Sequence, residues 1–256
     1  MEATYKNAPI SFTSQGTGNP LVLLHGFLES KEIWQDFVVE LSAKRQVICI
    51  DLPGHGESGN FAEVHTMPDM AQAVKSVLDE LDIQQASFAG HSMGGYVSLE
   101  FQNIFPTIIN SLVLVNSTPQ ADSEERKANR DRAATLVLKN KRAFVSMAMS
   151  NLLTPENNKI FKSQIDILKK RALQFSSTGI YAAIKGMKIC TDHTELFAKF
   201  QGQKIVVAGK NDPVLEYNTI KNLAKRCNSK FYSLPDGHLS FLENQTELRE
   251  ILHLID

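Results

Sequence analysis

Along the chain, short runs of apolar residues alternate with stretches in which apolar side chains recur every three or four positions. That is the pattern of a mostly parallel sheet covered by helices on both faces. The runs Leu21–Leu24, Val47–Ile50, Ser87–Ala89, Leu112–Val115, Ile205–Val207 and Lys230–Leu234 read as strands. The unbroken run Leu21-Val22-Leu23-Leu24 has no polar face, so it belongs inside the sheet rather than at its edge. Ahead of these, Ala3–Tyr5 and Ile10–Thr13 suggest a hairpin turning at Asn7-Ala8-Pro9.

Helical periodicity follows the first buried strand in Trp34, Phe37, Val38 and Leu41, and recurs in Met70, Val74, Val77, Leu78 and Leu81. The second of these helices carries its own start signal. Thr66 stands as N-cap, Pro68 falls in the first turn, and Asp69 lies near the positive end of the dipole. A last helix is expected over Ser240–Ile255, with Phe241, Leu248, Ile251, Leu252 and Ile255 on one face. One region breaks the alternation: from Thr118 to Phe200 the sequence is helical and charged, with no convincing strand. We therefore expect a core of residues 1–117 and 201–256 and a helical lid, or cap, of residues 118–200 packed over the carboxyl edge of the sheet.

Composition narrows the function class. The chain has 256 residues, 43% of them hydrophobic and 21% charged, values of an ordinary globular protein. Its formal net charge of −1 gives no field that would draw it to nucleic acid or to an anionic membrane, so a small-molecule partner is expected. Cys49, Cys190 and Cys227 are odd in number and lack C-x-x-C spacing, which indicates neither a disulfide framework nor a zinc site. The N-terminal residues lack the apolar core of a signal peptide, and no apolar run approaches the length of a membrane span. A cytoplasmic enzyme, monomeric or homodimeric and without cofactor or metal, is the expectation; His65, His193 and His253 have no ligand-spaced companions.

The chemistry starts at Gly90-His91-Ser92-Met93-Gly94-Gly95, which directly follows a strand and precedes a helical stretch. A G-x-S-x-G turn in that context lifts a serine hydroxyl clear of the sheet edge. A serine alcohol is a poor nucleophile unless a base takes its proton. Candidates occur in the order this arrangement requires. Asp212 lies in Gly209-Lys210-Asn211-Asp212-Pro213 and His238 in Asp236-Gly237-His238, each in a loop leaving the carboxyl end of a strand. The catalytic residues are thus expected to be Ser92, Asp212 and His238. A developing oxyanion also needs preorganised donors, each worth about 3 kcal/mol in the transition state. The backbone amides of Met93 and of Phe27, in His25-Gly26-Phe27, are the candidates.

Together with Asp51-Leu52-Pro53-Gly54-His55-Gly56-Glu57-Ser58, these motifs resemble the α/β-hydrolase superfamily over nearly the whole chain. They are most similar to its small lidded esterase, enol-lactonase and menaquinone-pathway-lyase branch. The resemblance implies an eight-stranded, mostly parallel sheet with helices on both faces and a lid inserted after the sixth strand. It also implies a serine hydrolase of the carboxylesterase kind, cleaving an ester or lactone through an acyl-enzyme. Dehalogenases and epoxide hydrolases of this fold carry aspartate where Ser92 stands, which disfavours those activities. Lyases of the branch place an arginine soon after the nucleophile, where this chain has Tyr96. Cleavage of a C–C bond by the same triad, lyase chemistry, and a non-catalytic receptor for a small ligand stay open.

The remaining signals are weaker. Asp51 and His55 read as structural, and His91 as a packing or hydrogen-bonding residue whose side chain points away from the serine. Glu124 to Arg142 holds seven basic side chains against three acidic ones. This is either a solvated face or the source of an arginine that turns inward onto a substrate carboxylate. Phe27, Tyr96, Phe144, Met147 and Met187 are candidates for lining a substrate pocket, with Met149, Leu152 and Leu153 as further apolar candidates.

Overall fold

The computed structural model describes residues 1–255; the last residue of the expected core segment 201–256 lies outside them. Eight strands form one sheet in the order β1-β2-β4-β3-β5-β6-β7-β8. They are β1 Glu2–Tyr5, β2 Ala8–Gln15, β3 Pro20–Leu24, β4 Gln46–Ile50, β5 Ala86–His91, β6 Ile109–Val115, β7 Gln203–Gly209 and β8 Lys230–Leu234. The β1–β2 and β2–β4 pairs are antiparallel, and all pairs from β4 through β8 are parallel. The first hairpin turns at Lys6-Asn7 rather than at Asn7-Ala8-Pro9. Both turn residues take positive φ, +48° and +63°, which suits a two-residue hairpin turn and which proline cannot adopt. Ala8 and Pro9 consequently pair with Tyr5 and Thr4 inside the ladder.

The period-2 rule sorts the strand residues between two cores. Val22, Leu24, Ile48, Ile50 and Phe88 pack on one face of the sheet, with Met70, Val74 and Val77 from α2 (Met67–Glu80). Leu21, Leu23, Val47, Cys49, Val113 and Val115 pack on the other, with Trp34 and with Phe37 of α1 (Gln35–Leu41). Both faces are thus covered, and the loops at the carboxyl ends of the parallel strands gather along one edge.

Between β5 and β6 runs α3, Met93–Ile104. Between β6 and β7 lie six helices: α4 Glu124–Lys139, α5 Lys141–Ser150, α6 Asn157–Ile160, α7 Lys162–Ala172, α8 Ser177–Lys188 and α9 Thr194–Lys199. After β7 come α10 Tyr217–Arg226 and, beyond β8, α11 Ser240–Glu243 and α12 Gln245–His253. The single helix expected over Ser240–Ile255 is therefore two. Asn244 leaves helical geometry at φ −137° and ψ 48°, and its side-chain amide donates to Asp236 at 2.9 Å. A helix of uniform apolar spacing is broken here by one polar residue tied back to a loop.

The start of α2 follows its sequence signal. Thr66 Oγ1 accepts the Asp69 amide at 3.1 Å and donates to the Asp69 carboxylate at 2.7 Å. Replacing Thr66 with alanine should cost about 1 kcal/mol of stability in urea unfolding; no change in midpoint would show that the cap contributes nothing.

Candidate active site

Ser92 sits between β5 and α3 with φ +49° and ψ −112°, a backbone conformation that costs a non-glycine residue on the order of 1–3 kcal/mol. The surroundings enforce it. The Ser92 amide donates to Val115 O at 2.9 Å, and Ser117 Oγ donates to Ser92 O at 2.7 Å. A Cβ on Gly90 would lie 2.3 Å from Gly94 O, and one on Gly94 would lie 2.5 Å from Leu24 O. Glycine at these positions lets strand and helix close on the turn, leaving the hydroxyl projecting into open space.

Three side chains from distant segments meet there. His238 Nε2 lies 3.0 Å from Ser92 Oγ, and His238 Nδ1 lies 2.8 Å from Asp212 Oδ2. Asp212 follows β7 and is fixed in turn. Its Oδ1 accepts the Val214 and Leu215 amides at 2.8 and 3.0 Å, and its Oδ2 accepts Asn116 Nδ2 at 3.2 Å. Burial pushes the Asp212 carboxyl upward, but the His238 imidazole and the two amides outweigh it and hold it below the usual carboxylate range. An ionised Asp212 at Nδ1 makes that nitrogen the donor, so Nε2 is left as an acceptor aimed at the serine.

Met93 opens α3 directly after Ser92, and Phe27 lies in the loop leaving β3 and lines the cavity beside the serine. Immediately behind them is a pair the sequence reading underrated. Glu29 Oε2 accepts the Gly26 amide at 2.6 Å and lies 2.9 Å from His91 Nδ1, while His91 Nε2 lies 2.8 Å from the His238 carbonyl. The Glu29 and His91 side chains are 1% and 0% exposed. Burial alone would lower the His91 pKa, yet the Glu29 carboxylate and the His238 carbonyl raise it; burial would raise Glu29, yet His91 and the Gly26 amide hold it low. His91 thus does point away from the serine hydroxyl, as expected. Glu29 stands in the mixed segment Glu29-Ser30-Lys31-Glu32, where nothing in the sequence sets it apart from Glu32.

Ser92 and His238 open into a cavity of about 430 Å³, the size of a small-molecule site. Phe27, Tyr96, Phe144, Met147 and Met187 all line it. Leu152 does too, whereas Met149 and Leu153 are buried in the core instead. The basic run splits in the same way. Arg126, Asn129, Arg130 and Ala133 form an i, i+3, i+4, i+7 stripe of α4 that faces the cavity. Both guanidinium Nε atoms reach the buried Asp122 carboxylate, at 3.2 Å for Arg126 and 2.9 Å for Arg130. Lys127 pairs instead with Glu124 on the solvent side.

Asp51 and His55 stay outside the cavity. The Asp51 carboxylate accepts the Lys31 and Glu57 amides and the Lys31 ammonium at 2.7, 3.0 and 2.6 Å, which fixes the loop after β4. His55 is buried between the His25 and Phe175 rings, and burial pushes its pKa well down. Asn116, unforeseen from the sequence, bridges the Asp212 carboxylate and the Gly237 carbonyl from a left-handed backbone at φ +45°. Among the described residues no helix is long and apolar enough to cross a membrane.

Comparison with known proteins places the fold in a family. A family model described as "alpha/beta hydrolase fold" matches residues 19–245. A thermophilic esterase from Thermogutta terrifontis, solved with malate bound, superposes with a TM-score of 0.91 at 27% identity, covering 96% of this chain and 92% of that one. An enol-lactonase from Burkholderia xenovorans LB400 superposes with a TM-score of 0.91 over 99% and 98% of the two chains, and at 18% identity shares the fold alone. In sequence, the acetyltransferase component of an acetoin cleaving system from Pseudomonas putida is 44% identical over 100 residues. That match spans 39% of this chain and only 27% of the relative's length.

The Glu29–His91 pair gives stability a defined pH window. A raised His91 pKa stabilises fully below the ordinary imidazole value of about 6.5 and loses that contribution as pH rises through the folded-state value. A lowered Glu29 pKa stabilises above about 4.5 and is lost as pH falls through its folded-state value. The thermal midpoint of the unaltered protein should therefore exceed that of Glu29→Gln by most between about pH 4.5 and 6.5, with the gap narrowing toward alkaline pH. A gap of constant size from pH 5 to alkaline pH would show that the pair is not charged.

Proposed function

The chain belongs to the α/β hydrolase family, and on that premise we propose that it is a serine hydrolase cleaving an ester or lactone of a small molecule. The observation that carries this is the unbroken hydrogen-bonded chain Asp212–His238–Ser92 ending in a cavity of about 430 Å³ that Ser92 and His238 line. Ser92 Oγ attacks the carbonyl carbon as His238 Nε2 takes its proton, and Asp212 stabilises the imidazolium that forms. The Phe27 and Met93 amides receive the oxyanion. His238 then returns the proton to the leaving alcohol, and water repeats the sequence on the acyl-enzyme, regenerating Ser92. Neither a metal nor a cofactor takes part in this scheme. The helices of residues 118–200 act as the cap: α4, α5 and α8 contribute Arg126, Arg130, Phe144, Met147 and Met187 to the wall facing Ser92, so substrate choice rests mainly with them.

Two arginines against one carboxylate leave a positive charge in excess on that wall. Each guanidinium engages Asp122 through Nε, which leaves the terminal amino groups for a bidentate partner. An acyl or alcohol part bearing its own carboxylate fits this wall, and the Thermogutta terrifontis esterase was solved with malate, which carries two carboxylates.

Ser92→Ala should abolish turnover of p-nitrophenyl butyrate while the circular dichroism spectrum stays native; retained turnover would end the assignment. The kcat/KM ratio of a carboxylate-bearing ester over its neutral analogue should fall at least about tenfold in Arg126→Gln or Arg130→Gln, the loss expected for a charge-assisted hydrogen bond of about 1.5–3 kcal/mol. An unchanged ratio in both would assign the arginines to Asp122 alone.

A further inference from the structure

We propose that the buried Glu29–His91 pair is a positioning device that locks the oxyanion loop, the serine turn and the His238 loop into one register, an inference that rests on the serine-hydrolase reading above. The three segments come from different parts of the chain, and although β3 pairs with β5, β8 is separated from β5 in the sheet by β6 and β7. Glu29 belongs to the loop after β3, His91 ends β5 immediately before Ser92, and His238 follows β8. One carboxylate oxygen and one imidazole span the set. Glu29 Oε2 holds the Gly26 amide at 2.6 Å, one residue before the Phe27 amide, and faces His91 Nδ1 at 2.9 Å. His91 Nε2 then reaches the backbone carbonyl of His238 at 2.8 Å.

The donor count fixes the state of the pair. Both His91 nitrogens face acceptors, a carboxylate and a carbonyl, and a neutral imidazole has only one N–H to give. An imidazolium against a carboxylate satisfies every contact. The charge pairing has a second consequence. A bare carboxylate beside the Gly26-Phe27 amides would oppose an oxyanion forming there, and the imidazolium cancels it at 2.9 Å.

Local sequence is arranged around this pair. A Cβ at residue 26 would lie 2.8 Å from both Glu29 Oε2 and His91 Nδ1, so glycine is what lets the side chains close over the loop. Leu28 holds φ +64° although it is not glycine, and this brings Glu29 back toward residue 26, with the Glu29 amide donating to Gly26 O at 3.3 Å. Strain of this kind persists only where the surroundings over-determine the conformation. The His91 ring is itself held, edge-on to Phe241 with centroids 5.2 Å apart and tilted against the His238 ring at 5.3 Å.

Neither Glu29 nor His91 has a proton-transfer role in this scheme; they act through Phe27, Ser92 and His238. Removing them should therefore lower kcat more than it raises KM, because the Phe27 amide engages its oxygen fully only in the transition state. The test compares Glu29→Ala, Glu29→Gln and His91→Gln with the unaltered protein on p-nitrophenyl butyrate, each well below its own unfolding midpoint. Glu29→Ala should lose about 10- to 100-fold in kcat, the scale of a displacement near 1 Å at the reaction centre, with KM within a few-fold. Glu29→Gln should recover most of that loss, since its amide can serve both Gly26 N–H and a neutral His91 Nδ1. Should Glu29→Ala fail to fold, His91→Gln should show the same kcat loss, because its terminal amide can meet the His238 carbonyl but leaves no polar atom at the Nδ1 position to meet Glu29. A folded Glu29→Ala with undiminished kcat, a Glu29→Gln as impaired as the alanine variant, or losses confined to thermal midpoint would each overturn the proposal. An unaltered protein that turns over no ester would instead overturn the hydrolase reading, and this inference with it.

Discussion

An imidazole can relieve a serine of its proton only while its far nitrogen is held as a donor, and in this chain the Asp212 carboxylate is what holds it. Everything around the site serves that contact. The His238 imidazole and two backbone amides hold the Asp212 carboxyl low despite its burial, and the Asn116 side chain helps to aim it. Asn116 and His91 in turn hold the loop of His238 through the Gly237 and His238 carbonyls. The sheet contributes by placing the ends of β5, β7 and β8 along one edge, so that loops far apart in the chain need no long-range closure of their own. A carboxylate left without those partners would be protonated or would turn toward water, and the chain of hydrogen bonds would end at the imidazole.

Buried charge recurs as the organising device. Three carboxylates near the cavity, Asp212, Glu29 and Asp122, are each almost wholly enclosed and each matched by a cationic or hydrogen-bonding partner. The matches differ in their balance. Asp212 is satisfied by amides and an imidazole, Glu29 by an imidazole and one amide, and Asp122 by two guanidinium groups. Only the last leaves an excess charge facing the cavity, and it does so from a helix of the region between β6 and β7. Ser92, Asp212 and His238 thus stand at the edge of the sheet, and the two cavity-facing arginines come from the inserted helices.

The sheet was legible in the sequence because it rests on local rules, and so was the meeting of Ser92, Asp212 and His238, each next to the carboxyl end of a strand. Apolar runs such as Leu21–Leu24 declare a strand buried on both faces, and the glycines around Ser92 declare a turn that admits no side chains. Thr66 announced its helix through capping chemistry that the structure retains. What escaped depends on partners remote in sequence. The hairpin turn at Lys6-Asn7 was misplaced because positive φ at lysine carries no compositional signal. The break at Asn244 follows from its bond to Asp236, and the direction of Arg126 and Arg130 follows from the buried Asp122. Glu29 was passed over for the same reason: an acid in a loop means little until the imidazole opposite it is known.

If His238 and Asp212 act on Ser92 as one unit, that serine is an activated nucleophile. Peptide mass spectrometry after treatment with a fluorophosphonate measures that activation directly. A phosphonate adduct is expected on the peptide containing Ser92, formed rapidly in the unaltered protein and at a rate reduced by orders of magnitude in His238→Ala. An adduct on another residue, or one that forms on Ser92 equally fast without the imidazole, would contradict it.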